Sequence, residues 1–426
     1  MSQGFKFQIE KKIQGGLGRA GFLHTPHGVI QTPAFVTVGT KGTVKSLSPE
    51  QVLETGSQVV LANTYHLYLQ PGEKIIKESG GLHQFMNWHF PTMTDSGGFQ
   101  AFSLGVAYGN GIGKFISADA PEVEVLEEGF SDINKKAKVT EEGIEFKSII
   151  DGSTHFLSPE KSIQIQNDIG ADIIFALDEF TSPHADFEKI KATIEKTERW
   201  AERCLVENKK AEKNQKILPK FLGSPQQASA RISSEHSDFF QQALFGIVQG
   251  GRYEELRKMS AEGISKFDFD GFGIGGTFIK EDMATAVRWV NEILPEEKPR
   301  HLLGVGEPLD LFLAVENGCD TFDCVAATRM ARNGTLYTRV GKININNAKY
   351  KNDLGKIEEG CNCYTCKNYT AGYLSHLFHA KEMLAATLAS IHNLYFINSL
   401  VAQMRLALLD NTFDKLKEDF FGTYKI

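Results

Sequence analysis

Three acids in this sequence stand in settings suited to chemistry on a sugar and its base. Asp95 opens the stretch Asp95-Ser96-Gly97-Gly98-Phe99-Gln100. Paired glycines let backbone approach a ligand closely. An acid ahead of them can carry a proton, and an aromatic behind them can stack on a flat ring. The plainer reading is a strand-to-helix turn with Asp95 as its N-cap. Asp323 precedes Thr328-Arg329-Met330-Ala331-Arg332. A carboxylate followed by two arginines suits an anionic substrate, the arginines holding phosphate and the acid lying beside the sugar. The plainer reading is an Asp323–Arg329 salt bridge. Asp178, with Gln249 and the Gly275-Gly276 backbone, could read the polar edge of a purine, or serve only as a supporting acid. Two carboxylates across a glycosidic bond can run a retaining displacement, one attacking the anomeric carbon while the other protonates the leaving group. Asp95 and Asp323 are the candidates.

A second cluster speaks to scaffold rather than reaction. Cys361-Asn362-Cys363-Tyr364-Thr365-Cys366 places three thiols in six residues, and His376, His379 and His392 follow on a helical stretch. Three Cys and one His suit a closed, tetrahedral structural zinc. Spacing alone leaves the choice of histidine open. Three reduced thiols in a turn would be the plain alternative, but Gly360 and the polar spacers suit a ligand loop. The remaining cysteines, Cys204, Cys319 and Cys324, are scattered and suggest no disulfide framework, as expected of a reducing compartment.

The elements that must position these groups are legible as short apolar runs, each ending in a polar residue or glycine. They are 34–39, 58–63, 91–95, 172–178, 243–249, 271–275, 301–304 and 321–323, mostly separated by amphipathic helical stretches at 49–55, 159–169, 187–208, 253–265, 281–294 and 309–317. Continuous apolar strands alternating with helices imply a buried parallel sheet. Eight of them predict a closed (β/α)8 TIM barrel, with its active groups at the strand C-termini. Those ends carry Asn63, Asp95, Asp178, Gln249, Gly275, Gly276 and Asp323. An open doubly wound sheet is the rival, but no glycine-rich dinucleotide fingerprint follows the first strand. Residues 1–31 read as an N-terminal antiparallel sheet, 32–340 as the barrel domain with insertions near 106–142 and 207–237, and 341–426 as a zinc-binding helical subdomain.

The composition is that of an ordinary globular chain, 41% hydrophobic and 23% charged. No run of about 18 apolar residues is apparent, so no membrane span is expected. Met1–Glu10 has no apolar signal core, so a cytoplasmic location is expected. The net charge of −7 hides a polarity: residues 329–426 hold 13 basic and 8 acidic residues, while 1–328 hold 33 and 45. A basic end on an acidic body fits a local phosphate-binding face.

Taken together, the motifs resemble tRNA-guanine transglycosylase. The resemblance runs from Thr32-Pro33 and Val38-Gly39-Thr40 through Asn63-Thr64-Tyr65-His66-Leu67, Asp95–Gln100, Phe156-Leu157-Ser158-Pro159-Glu160, Gly246–Gly251, Gly273–Gly276 and the Asp323 segment to the cysteine tail. It implies a zinc-containing TIM barrel that exchanges guanine at the tRNA wobble position for a 7-deazaguanine base. It makes Asp323 the nucleophile toward ribose and Asp95 the general acid/base. Ser96, Gly97, Gly98, Phe99, Asp178, Gln249, Gly275, Gly276, Thr277 and Glu281 would hold the base. Gly304, Val305, Gly306, Glu307, Pro308, Leu309 and Asp310 would lie along RNA, with Thr328, Arg329, Met330, Ala331 and Arg332. Cys361, Cys363, Cys366 and His392 would bind Zn2+. Family members act as homodimers, one subunit working while its partner orients the RNA.

Glu281 matches the acid of bacterial members that supports an aminomethyl substituent, and Ile279 would obstruct the bulkier queuine. The expected incoming base is therefore 7-aminomethyl-7-deazaguanine, the prequeuosine base. Two positions depart from the family pattern: Ala326-Ala327 replaces Leu-Pro, and Phe180 stands in place of Cys. A non-catalytic tRNA-binding relative would be expected to lack its nucleophile, whereas both Asp95 and Asp323 are present. An archaeal-type enzyme would usually carry an added RNA-binding domain, and none is evident before Ile426.

Overall fold

The computed structural model describes residues 4–106, 115–116, 137–181, 185–214, 242–276, 278–279 and 282–425, with backbone alone at 104–106, 115–116, 211–214 and 278–279. Its centre is a closed barrel of eight parallel strands: Ala34–Val38, Val60–Ala62, Thr92–Thr94, Ile173–Phe175, Ala243–Val248, Gly271–Ile274, Arg300–Leu302 and Thr321–Asp323. The eighth closes on the first through Thr321↔Ala34, Phe322↔Phe35 and Asp323↔Val36. Strand alternation decides what each side chain meets. Ala34, Val36, Val38, Leu61, Met93, Ile173, Phe175, Ala243, Phe245 and Ile247 fill the interior. Phe35, Val60, Ala62, Leu244 and Val248 pack outward in the core shared with the helices.

The N-terminal sheet forms as expected from Lys6–Lys12, Arg19–Thr25 and Gly28–Thr32, all antiparallel. Its Phe5, Phe7, Leu23 and Ile30 join the barrel's interior cluster and plug the end where the strands begin. A polar clasp fixes this plug. Asp172, just ahead of strand four, accepts from His27 Nδ1 (2.7 Å), His83 Nε2 (3.0 Å) and Thr92 N (2.8 Å). The two imidazoles stack at 3.6 Å between centroids.

Several boundaries differ from the sequence reading. The helix expected at 187–208 runs on to Asn214, and the one expected at 281–294 occupies Met283–Asn291. Three short helices, Thr64–Leu69, Glu73–Glu78 and Leu82–Met86, fill the link between strands two and three, where Gly72, Gly80 and Gly81 interrupt any longer helix. A second antiparallel sheet, Ala137–Val139, Ile144–Lys147 and Thr154–Leu157, was not anticipated. It delivers Ser158, whose Oγ accepts from Lys161 N (3.1 Å) and caps helix Pro159–Ile169. Most of segments 106–142 and 207–237 lies outside the described residues. Of the first, 115–116 pair in parallel with 278–279.

One helix bears on the expectation of no membrane span. Helix Met383–Leu409 is long and apolar enough to cross a membrane, with a mean hydropathy of 1.3 over its best window. That window is 72% buried inside the fold. Its apolar surface is spent on the barrel's flank and the neighbouring helices rather than on lipid. Arg405, near its end, donates to Gly21 O (2.9 Å) and Thr32 O (2.5 Å) and pairs with Glu10.

Candidate active site

Barrel geometry brings the predicted acids and amides to one rim. Asp95 follows strand three, Asp178 lies just beyond strand four, Gln249 follows strand five, Gly275 follows strand six and Asp323 ends strand eight. Around the ring, strands one and two separate the Asp323 position from the Asp95 position. The two acids therefore face the mouth from well-spaced strands rather than standing side by side.

Asp95 is held by three donors. Asn63 Nδ2 (2.5 Å) and Gln100 Nε2 (2.8 Å) reach Oδ2, and Thr64 N reaches Oδ1 (2.8 Å). Burial is the largest influence on its protonation and raises its pKa above the ordinary carboxylate value. The three donors oppose that rise, and the negative charge of Asp323 adds to it. The net displacement is upward, which favours a group that must hold a proton for part of a cycle.

Asp323 is positioned differently. Its Oδ1 accepts from Gly304 N (3.0 Å) and lies 3.1 Å from His301 Nε2. A carboxylate only accepts, so Nε2 carries the ring hydrogen, and Nδ1 faces Thr321 Oγ1 at 2.9 Å. His301 is fully buried, while the Asp323 side chain keeps 15% of its surface exposed. One carboxyl oxygen is thus tethered from the barrel interior at a group that still reaches the mouth. His301 was missed at sequence level. Its signal was a histidine inside an otherwise apolar strand.

A cluster of polar side chains forms between strands four and six. Gln249 Nε2 donates to Asp178 Oδ2, and Ser96 Oγ lies 3.4 Å from Asp178 Oδ1. Gly98 is closely packed, since a Cβ there would sit 2.8 Å from Leu177 Cδ1 and 3.1 Å from Asp178 O. Phe99 meets Phe180 edge to face at 4.8 Å, and Phe180 also meets Phe102 at 6.0 Å. The Phe180 departure therefore builds an aromatic wall behind the expected stacking ring. Arg257, on helix Glu254–Ser265, was not foreseen. It is fully buried and donates to Gly251 O (2.8 Å) and Gly275 O (2.7 Å). Thr277 and Glu281 lie outside the described residues, as does the side chain of Ile279.

The two expected RNA segments flank Asp323 unequally. Arg329 is exposed on helix Ala326–Arg332, and Arg332 is partly exposed. Gly304 touches Asp323 directly, and Glu307 pairs with Lys342 at 2.7 Å. Pro308 opens helix Pro308–Glu316, and Leu309 packs partly buried against the core. Val305, Asp310, Thr328 and Ala331 are buried, and Met330 is half-buried, so these side chains support the segments rather than present them. Gly306 packs tightly against Cys324.

Thiols and imidazole converge at the C-terminal end. Sγ of Cys361, Cys363 and Cys366 lie 3.9, 3.6 and 3.4 Å from His392 Nδ1. A tetrahedral zinc with ordinary Zn–S and Zn–N bonds would set such S···N edges at about 3.6 Å. His392 Nε2 lies 2.7 Å from Tyr337 O, which fixes the tautomer that leaves Nδ1 for a metal. The ligand atoms lie within 4.8 Å of one another. His379 instead turns its Nδ1 to Ser375 O (2.7 Å). The donor set fits a closed structural zinc. The neighbouring Asn393 accepts from Tyr337 N (3.0 Å) and donates to Ala327 O (3.0 Å) and Thr335 O (3.1 Å), tying this subdomain to the helix after Asp323.

Comparison with known proteins agrees with this arrangement. The family model described as Queuine tRNA-ribosyltransferase matches residues 14–426. A queuine tRNA-ribosyltransferase of Thermoanaerobacter pseudethanolicus is 44% identical over 422 residues, covering 98% of this chain and 97% of that protein. One from Shouchella clausii is 41% identical over 427 residues, covering 100% and 97%. One from Staphylococcus aureus is 42% identical over 409 residues, covering 95% and 93%. With matches this long and a barrel rim of this composition, the chain belongs to the queuine tRNA-ribosyltransferase family and is a pentosyltransferase of that family.

Proposed function

We propose that the protein removes guanine from the wobble position of tRNA and installs 7-aminomethyl-7-deazaguanine through a ribosyl ester on Asp323, in queuosine formation. The target base must leave the stack to be reached, and a single-stranded anticodon loop costs least to open. An Asp323 carboxylate oxygen attacks C1′ of the ribose as the C1′–N9 bond breaks. The bonding pair leaves with guanine, which takes a proton from Asp95. Guanine departs, and the incoming base gives its N9 proton to the Asp95 carboxylate. N9 then bonds C1′, and the ester bond to Asp323 breaks. The enzyme returns to its starting protonation, and a bond to protein holds the RNA in place between the two bases.

The observation carrying this reading is the pair of acids on one rim, Asp95 with a raised pKa and Asp323 tethered through one oxygen. Asp178, Gln249 and the Gly276 amide would read the base edge, and Phe99 would stack on it. Arg329 and Arg332 would lie along RNA phosphates. Cys361, Cys363, Cys366 and His392 would hold Zn2+, which supplies rigidity to the subdomain and no step of the exchange. Family resemblance supports a homodimer and a cytoplasmic enzyme. For the incoming base, Ile279→Gly should admit queuine if that side chain is the size filter; continued exclusion moves the filter elsewhere.

Incubation of the protein with labelled guanine and a transcript carrying guanine at the wobble site should give incorporation. Asp323→Asn should abolish both incorporation and a denaturant-resistant RNA adduct. An adduct that persists in Asp323→Asn moves the nucleophile to another residue.

A further inference from the structure

Arg257 is a fully buried arginine lying between the loops after strands five and six. Nε donates to Gly251 O at 2.8 Å, and Nη1 donates to Gly275 O at 2.7 Å. Burial lowers its pKa to about 9, so the guanidinium is still charged at neutral pH. The space beside Gly276 is closed. A Cβ there would lie 2.8 Å from Gln249 Oε1 and 3.2 Å from Arg257 Nη2, and φ of +88° suits only glycine comfortably.

The Gly275 carbonyl and the Gly276 N–H belong to one planar peptide unit, and in a trans peptide they point in opposite directions. This peptide is not among the cis bonds of the chain. With its carbonyl drawn onto a buried cation, its N–H is turned the other way, away from Arg257. A charged donor on the carbonyl also polarises the N–H across the same unit and strengthens it as a donor.

We propose that Arg257 is a positioning residue that locks the Gly275–Gly276 peptide as a hydrogen-bond donor, so that the pocket selects bases bearing an oxygen at that edge over bases bearing an amino group. This rests on the assignment of the rim as a guanine pocket. A peptide free to turn over could offer either a donor or an acceptor. A peptide held by a guanidinium offers the donor alone. The same guanidinium holds Gly251 O, so the Gln249 loop and the Gly276 loop move together or not at all.

The test compares guanine with 2,6-diaminopurine, which replaces the oxygen by an amino group and the N1–H by a bare ring nitrogen, so the change of the ratio on altering Arg257 is the reading that isolates this peptide. Equilibrium binding to the wild-type protein should favour guanine by at least tenfold; equal binding would overturn the inference without any variant. Arg257→Met should weaken guanine by about 10- to 100-fold and collapse the ratio between the two bases. Its KM for tRNA should change far less. Arg257→Lys keeps a charge and one donor and should restore part of the ratio. The ratio does not depend on the folded fraction, which separates positioning from loss of structure. Either variant folded with a wild-type ratio refutes the role of Arg257. Failure of the wild-type protein to bind either base or to form an RNA adduct would instead refute the guanine-pocket reading itself.

Discussion

Removing the Asn63 amide from Asp95 should move the acid limb of the reaction upward in pH. Asn63 Nδ2 lies 2.5 Å from Asp95 Oδ2 and stabilises the ionised carboxylate more than the neutral acid. It is one of three donors acting against a pKa raised chiefly by burial and further by Asp323. Hydrogen bonds to charged groups contribute about 1.5–3 kcal/mol. At about 1.4 kcal/mol per pH unit, full loss would raise the Asp95 pKa by roughly 1–2 units. Asp95 is partly exposed, so a water can replace some of this, and the shift expected for Asn63→Ala is about one unit. The sign follows from the role: Asp95 must be ionised to take the proton of the incoming base, so activity falls on the acid side as its pKa climbs. The assay is the pH dependence of kcat/KM for guanine incorporation into a wobble transcript. An acid limb at the same pH with a uniformly lower rate would refute Asp95 as the group that titrates.

Other perturbations read other parts of the molecule. Metal analysis should find one zinc per chain, and Cys363→Ala should lose it and lower the Tm; a Cys363→Ala protein that keeps its zinc and its wild-type stability would refute the ligand assignment. Asn393→Ala strands three buried backbone partners and should cost about 2–4 kcal/mol in denaturant unfolding; a loss below about 1 kcal/mol would mean the subdomain is held elsewhere. Gly98→Ala presses a methyl into Leu177 and the Asp178 backbone and should raise KM for guanine at least tenfold; an unchanged KM would show that the wall can yield. Burial would raise the Asp172 pKa, but His27 and His83 override it and hold it well below the carboxylate range, while burial lowers that of His83. The His83 contribution begins to be lost as pH falls below about 6.5, and that of Asp172 is present above about pH 4 and is lost as pH falls below it toward the lower folded value. Asp172→Asn should therefore flatten the fall of Tm with acid; parallel curves would refute the linkage.

The barrel was legible because each of its strands is short, apolar and ended by a polar residue, a pattern that burial on both faces imposes. The zinc ligands were legible because thiols so close together have few other uses, although choosing His392 needed family resemblance. Asp95 and Asp323 could be named but not related, since nothing in a linear sequence fixes a distance between strands three and eight. Arg257 and His301 escaped for a different reason. Each acts through another residue across the fold, Arg257 on a carbonyl and His301 on a carboxylate, and a contact made by backbone or between strands leaves no motif. The helix Met383–Leu409 is apolar enough to match a membrane span, because enclosure by protein and enclosure by lipid select the same side chains.

The bond from Arg405 to the carbonyl of Thr32 has a bearing on synthesis at the ribosome. The first hairpins emerge long before the helix that clamps them, and strand one waits almost as long for strand eight. The cap is therefore clamped only once helix Met383–Leu409 has been made. A chain lacking that helix should leave the Gly21 and Thr32 carbonyls and the Phe22 ring, over which the Arg405 guanidinium lies, without their clamp.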